Sequence, residues 1–164
     1  MASMKLLISV LLIGLTMTAC KPAEDTNKDA PDKIINQTDY SSCGTGNYGT
    51  SITGNWYYQQ AIGNTKFTKT YSFSRDYVRI TNDCTFDGVA VRATASSRIV
   101  VGINTVAYLD SALNENSIQR EGYKLTCQSK IEPADFTWRY QGNCLVIIAQ
   151  DGKSSIALLP AAKN

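Results

Sequence analysis

From Gly54 to Leu159 the chain keeps a period of two, and that period constrains its fold more than any other feature. Trp56 and Tyr58 share one face of a first segment, and Phe67, Tyr71 and Phe73 share one face of a second, with Lys66, Thr68, Thr70 and Ser72 opposite. Val78, Ile80, Cys84 and Phe86 alternate with Arg79, Thr81 and Asp83, and Val89, Val91, Ala93 and Ala95 follow in the same manner. Side chains that point to opposite faces at successive positions belong to strands, whereas the three-and-four spacing of a helix is almost absent. Val, Ile, Thr, Tyr, Phe and Trp, the residues that suit a pleated surface, supply most of the pattern.

Turn residues divide it. Arg75-Asp76, Asp87-Gly88, Gln141-Gly142-Asn143 and Asp151-Gly152 each stand between two alternating runs, and further strands fit Ser97 to Val101, Thr105 to Asp110, Tyr123 to Cys127 and Phe136 to Tyr140. The sum is about eight to nine short strands in sequential order, which suits an antiparallel up-and-down barrel or a two-sheet sandwich. Ser111 to Gly122 is polar and weakly patterned, so it reads as a long loop or one short helical turn. Within it, Asn114-Glu115-Asn116-Ser117 is the best candidate for a contact surface with another protein.

Three cysteines lie in the patterned part, Cys84, Cys127 and Cys144; Cys43 stands at the edge of the expected domain and a fifth, Cys20, well ahead of it. Separations of 41, 43 and 17 positions contain no close pair of the kind structural zinc sites use, so two disulfides are expected and no metal. Three pairings are open. Cys84 shares a face with Ile80 and Phe86, and Cys127 shares one with Tyr123 and Leu125, which favours Cys84 with Cys127 and leaves Cys43 with Cys144.

The first nineteen residues have the order of an export signal: Lys5, then the apolar run Leu6 to Leu15, then small residues up to Ala19. The run is too short for a membrane-spanning helix, which needs roughly 20 apolar residues. Met17-Thr18-Ala19-Cys20 resembles the lipobox of bacterial lipoproteins, which implies cleavage before Cys20 and a diacylglyceryl group with palmitate-type chains on its sulfur. Residues 20–42, rich in Asp, Glu, Lys, Asn, Pro and Thr, read as a flexible tether, and the folded domain is expected over 43–164. Lys21 after the lipidated cysteine favours an outer-membrane location, with the domain facing the periplasm.

Gly54-Asn55-Trp56 on the first strand of such a meander resembles the opening motif of the lipocalin and calycin group, in which the tryptophan closes one end of a barrel. The ending, Trp138-Arg139-Tyr140-Gln141-Gly142-Asn143-Cys144 followed by Asp151-Gly152 and a final apolar strand, is similar to the last hairpins of small lipocalin-like lipoprotein domains. The resemblance covers roughly Thr53 to Leu159. It implies a small antiparallel barrel of about eight strands. A pocket for a small hydrophobic or lipid-like ligand would be lined by Trp56, Tyr71, Phe73, Trp138 and Tyr140, while Ala93 and Ala95 would leave room inside. The Thr-Asp-Tyr and terminal arginine of the group have no counterpart at the matching places, since Thr38-Asp39-Tyr40 precedes the first strand.

Catalytic chemistry finds little to work with. The chain has no histidine, which removes the commonest general base and transition-metal ligand, and the domain cysteines are assigned to disulfides. Asp83, Asp87, Asp110, Glu115, Glu121, Glu132, Asp135 and Asp151 sit near strand ends rather than as a pair in a cleft, and Cys43-Gly44-Thr45-Gly46 lacks the lysine of a phosphate loop. Sixteen Lys and Arg against fourteen Asp and Glu, spread along the chain, give no footprint for nucleic acid. The expectation is a non-catalytic binding protein without cofactor, held to the bilayer by Cys20. It would bind a small hydrophobic molecule or, as the alternative, act on an envelope protein as inhibitor or accessory lipoprotein.

Overall fold

A computed structural model describes residues 40–46 and 49–161. The export signal, Cys20 and the tether up to residue 39 lie outside the described residues. Ten strands follow a short 3-10 turn at Ser41–Cys43: β1 Gly54–Ile62, β2 Thr65–Phe73, β3 Tyr77–Phe86, β4 Val89–Val101, β5 Thr105–Tyr108, β6 Ala112–Arg120, β7 Tyr123–Ile131, β8 Ala134–Gln141, β9 Cys144–Ala149 and β10 Ser155–Pro160. Eight of them close an antiparallel barrel in the order β1-β10-β9-β8-β5-β4-β3-β2, and β6 with β7 forms a separate hairpin. The all-β class is the one the period of two implies, and of the two architectures it leaves open, barrel and sandwich, the chain forms the barrel that the lipocalin resemblance implies.

Two elements depart from expectation: the run through Ala95 and the further strand expected over Ser97 to Val101 are one continuous strand, β4, and the polar stretch after β5 is itself a strand. Ala112–Arg120 is a nine-residue strand, neither a loop nor a helical turn, and it pairs with β7 along its whole length from Ala112↔Ile131 to Arg120↔Tyr123. Its alternation is hidden because it packs through few apolar side chains: Ile118 is half-buried, while Leu113 is 63 % exposed. Asn114-Glu115-Asn116-Ser117 is therefore a stretch of strand. The meander skips this hairpin, since β5 pairs directly with β8 through Val106↔Phe136 and Tyr108↔Ala134.

β7 packs against β3 and β4, and β6 against β4. The register of β3 with β4 sets Ile80 opposite Ala95, Asn82 opposite Ala93 and Cys84 opposite Val91, all pointing to the inner face. Leu125 and Cys127 from β7 fill the space over Ala93 and Cys84, with Phe67, Phe86, Val91, Ile118 and Tyr123 packed around them. The room left by Ala93 is thus taken by β7, while Ala95 packs in the main core with Ile80 and the barrel aromatics.

The alternation of directions gives the barrel two distinct ends. The chain enters at the first, which carries the start of β1, the end of β10 and the β2–β3, β4–β5 and β8–β9 turns; the second carries the β1–β2, β3–β4 and β9–β10 turns. At the entry end Cys43 is bonded to Cys144, and Tyr40, Val146, Ala157 and Leu159 pack about that bridge on the outer face of β9 and β10. Tyr40, ahead of the boundary expected at Cys43, belongs to this cluster. Cys84 is bonded to Cys127, so the pairing is the favoured one of the three.

Candidate functional site

The five aromatics expected to line a pocket come together in one buried cluster with Ile52, Val78, Ile80, Ile99, Val106, Tyr108, Leu145, Ile147 and Leu158. They face one another. Trp56 and Tyr140 have ring centroids 5.7 Å apart, Trp138 meets Tyr140 edge-on at 6.0 Å, and Tyr71 stacks on Phe73 at 6.1 Å. Such tilted and offset pairs are the arrangements aromatic rings prefer when they pack among themselves.

Two of the polar handles are engaged in closing the entry end. Ile52, 1 % exposed, lies under the barrel ahead of β1, and its carbonyl accepts a 3.0 Å hydrogen bond from Trp56 Nε1. The hydroxyl of Tyr140 donates to the carbonyl of Ser51 at 2.5 Å. Burial pushes the hydroxyls of Tyr58 and Tyr140 above the ordinary tyrosine range, and that of Tyr108 well above it, with nearby Tyr71 as a second cause. All three hydroxyls are neutral at physiological pH. Trp138 Nε1 and Asn82 Oδ1 are buried without a hydrogen-bond partner among the described residues.

Asn82 is an inner-face residue that alternation marks by its polarity between Ile80 and Cys84. Its Nδ2 donates to the carbonyl of Gln128 in β7 at 2.5 Å, and Ser129 Oγ of the same strand donates to the carbonyl of Ile80 at 2.9 Å. The hairpin is therefore stitched to β3 by polar contacts as well as by the disulfide. On β4 it does a second task. Beyond its short pairing with β5 through Ile99, Val100 and Val101, and the bond from the Leu109 amide to the Arg98 carbonyl, this edge of β4 has no strand paired to it among the described residues. Asn114 Oδ1 accepts from the Thr94 amide at 3.2 Å, Asn116 Nδ2 donates to the Arg92 carbonyl at 2.6 Å, and Asp110 Oδ2 accepts from the Arg98 amide at 3.0 Å. Side chains of three acidic-type and amide residues thus cap an edge that would otherwise invite another strand. The asparagines expected to serve as a contact surface are occupied in this way.

A groove that the period of two could not reveal lies on the outer flank of the barrel. Its volume is about 510 Å³, and its lining comes from the end of β4, β5, β8, β9 and the β9–β10 turn. The registers Val100↔Ala107 and Ala107↔Asp135 form one row across it, and Thr105↔Thr137 and Thr137↔Ile148 form the next. Apolar side chains make its floor, while Asp135, Thr105, Thr137 and Gln150 supply polar groups. Alternation assigns Val100, Thr105, Ala107, Asp135, Thr137 and Ile148 to the outer face, while Val106 and Phe136 of the core also reach the lining; concavity arises from sheet twist, which no residue pattern spells out.

Among the described residues no group of three or more Asp, Glu and Cys is placed to hold a metal ion, and no helix is long and apolar enough to cross a membrane. No protein-family model, curated protein or solved structure matches the chain.

Proposed function

We propose that the protein is a lipid-anchored, non-catalytic binding protein of the bacterial cell envelope, held through acylated Cys20 at the outer membrane with its barrel in the periplasm, and that its ligand is a small hydrophobic molecule seated in the flank groove. The groove carries the reading. About 510 Å³ falls within the range of roughly 300–1,000 Å³ usual for small-molecule sites, and an apolar floor with a few polar groups at one side is their usual composition. The interior aromatics are a poorer candidate, because they pack on one another and on Ile52. Asp135 at the rim disfavours an anionic end group, so the ligand class is an apolar chain or ring with an uncharged or cationic end. The meander, together with Gly54 and Trp56 at its closed end, supports grouping the domain with lipocalin-like barrels; the inserted β6–β7 hairpin is its own addition.

Native mass spectrometry of the protein extracted from membranes tests the groove. A small hydrophobic mass beyond the anchor should accompany the wild-type chain, and Ala107→Trp, which fills the groove from its outer face, should lose it. A bare wild-type protein, or a ligand that survives Ala107→Trp, would overturn this assignment and move the search to protein contacts.

A further inference from the structure

The entry end carries an apolar projection at the β4–β5 turn, which borders the flank groove through Val100 and Gly102. Val100 is 59 % exposed, Val101 38 % and Ile103 90 %, three aliphatic side chains in four positions at the β4–β5 turn. Tyr77, 54 % exposed, stands beside them on β3, opposite Arg98. An isolated exposed aliphatic residue is ordinary, but a cluster at the tip of a hairpin calls for a partner. This tip is also held in place: the Gly102 amide donates to the Thr105 carbonyl at 2.9 Å, and the Trp138 amide of β8 donates to the Asn104 carbonyl at 2.9 Å. It presents Ile103 from a fixed scaffold rather than from a loose loop.

Position within the fold names the partner. The tip shares its end of the barrel with the Cys43–Cys144 bridge, the point from which the chain runs back toward Cys20. We infer that the β4–β5 tip is a bilayer contact that seats Val101 and Ile103 among the acyl chains of the membrane bearing the anchor, with Tyr77 at the level of the headgroups. The inference rests on the reading of Cys20 as a lipid anchor. Arg75 and Arg139 stand at this end with Asp76, while the other end carries both signs, Asp87, Glu121, Glu132 and Asp151 together with Lys66, Arg120, Lys124 and Lys153. Aromatic rings and arginines at the rim of an apolar tip are the groups that suit a membrane interface. A tip this small would not hold a protein to a membrane by itself. An anchor converts its insertion into an intramolecular step, so a few side chains suffice to set orientation. With the entry end down, the flank groove opens sideways along the bilayer surface.

The test uses the full chain, purified from membranes with its own leader processed and reconstituted in phosphatidylethanolamine and phosphatidylglycerol vesicles whose acyl chains carry bromine. Ile103→Trp places an indole at the tip; Ile62→Trp places one at the opposite end, where Ile62 is 61 % exposed. Native Trp56 and Trp138 are 6 % and 5 % exposed and supply a common background. Bromine should quench the added emission of Ile103→Trp and leave that of Ile62→Trp unchanged. Equal emission from both in protein that sediments with the vesicles overturns the bilayer contact while the anchor stands. So does a blue shift of Ile103→Trp without quenching, which marks a protein partner at the tip. The acyl mass on Cys20, read by mass spectrometry of the same preparation, decides the anchor separately.

Discussion

Cys84 in β3 and Cys127 in β7 are covalently joined across 43 positions of sequence, with their Cα atoms 5.6 Å apart, and this bond ties the inserted hairpin to the inner face of the barrel. The barrel does not depend on it for closure, because β5 and β8 pair directly over the point where the hairpin leaves. Two units of unequal dependence result. The eight-stranded wall closes by backbone pairing, while the hairpin is held by one covalent bond, by Leu125 and Cys127 over Ala93, and by the side chains that reach β3 and β4.

Replacing both cysteines, Cys84→Ala with Cys127→Ala, should therefore loosen the hairpin before the wall. For a closed loop of this length the chain-entropy estimate is about 4 kcal/mol, within the roughly 2–5 kcal/mol usual for removing a native bridge. Denaturant titration should show that loss. Hydrogen exchange should accelerate first in β6 and β7, at amides between Ala112 and Ile131. Uniform acceleration around the whole barrel would contradict the division into two units.

Ala93 gives a second handle on the same contact. It is 0 % exposed and lies beneath Leu125 and Cys127, so a larger side chain has nowhere to go without moving β7. Ala93→Leu should destabilise by about 1–3 kcal/mol through overpacking. If Ala93 instead faced an open cavity, the same change would be neutral or stabilising, and thermal unfolding distinguishes the two.

These residues also mark where sequence reading stops. Alternation correctly placed Ala93 and Ala95 inward, and the shared faces of Cys84 and Cys127 favoured the bond that forms. What alternation lacks is the identity of the partner. A strand such as β6, which is held by backbone pairing to β7 and meets the edge of β4 through Asn114 and Asn116, carries no apolar stripe and reads as loop. Small inward residues were consistent with an empty barrel or with a covering element, and only tertiary structure separates these. Alternation likewise places the candidate pocket aromatics inward, yet the bond that Tyr140 donates to Ser51 connects segments 89 positions apart that no local pattern links.

The capped edge of β4 should respond to acid. Hydrogen bonds from the Arg98 guanidinium, then from its amide, hold the Asp110 carboxyl at about 2, below its ordinary 3.8. A carboxyl more acidic in the folded than in the unfolded chain contributes stability that is fully present above the ordinary value and is lost as pH falls through the lower one. The Asp110 contribution should therefore be intact above about pH 4 and fade toward pH 2. Carbon-detected NMR titration should place the Asp110 midpoint near 2, and Arg98→Ala should return it toward 3.8. A midpoint unmoved by Arg98→Ala would show that the guanidinium is not the cause.

Gly54 and Trp56 raise the question of why a glycine should stand two positions before a buried indole. At Gly54 φ is +143°, a conformation that side-chain-bearing residues rarely adopt, and a Cβ added there would meet Trp56 Nε1 at 3.4 Å. That nitrogen is the one bonded to the Ile52 carbonyl, so the backbone at Gly54 has to bend the chain from Ile52 under the barrel into β1 while leaving the indole free to hold it. Gly54→Ala keeps the chemistry of every neighbour and alters only backbone freedom and this contact. It should cost about 1–3 kcal/mol, the scale of one residue forced into a sparsely populated conformation. Because the strain falls where Ile52 seals the entry end, the change should also expose Trp56, seen as a red shift and stronger acrylamide quenching of its emission. A stable Gly54→Ala protein with unchanged emission would mean that the glycine is not required by the closure and that the motif needs another physical cause.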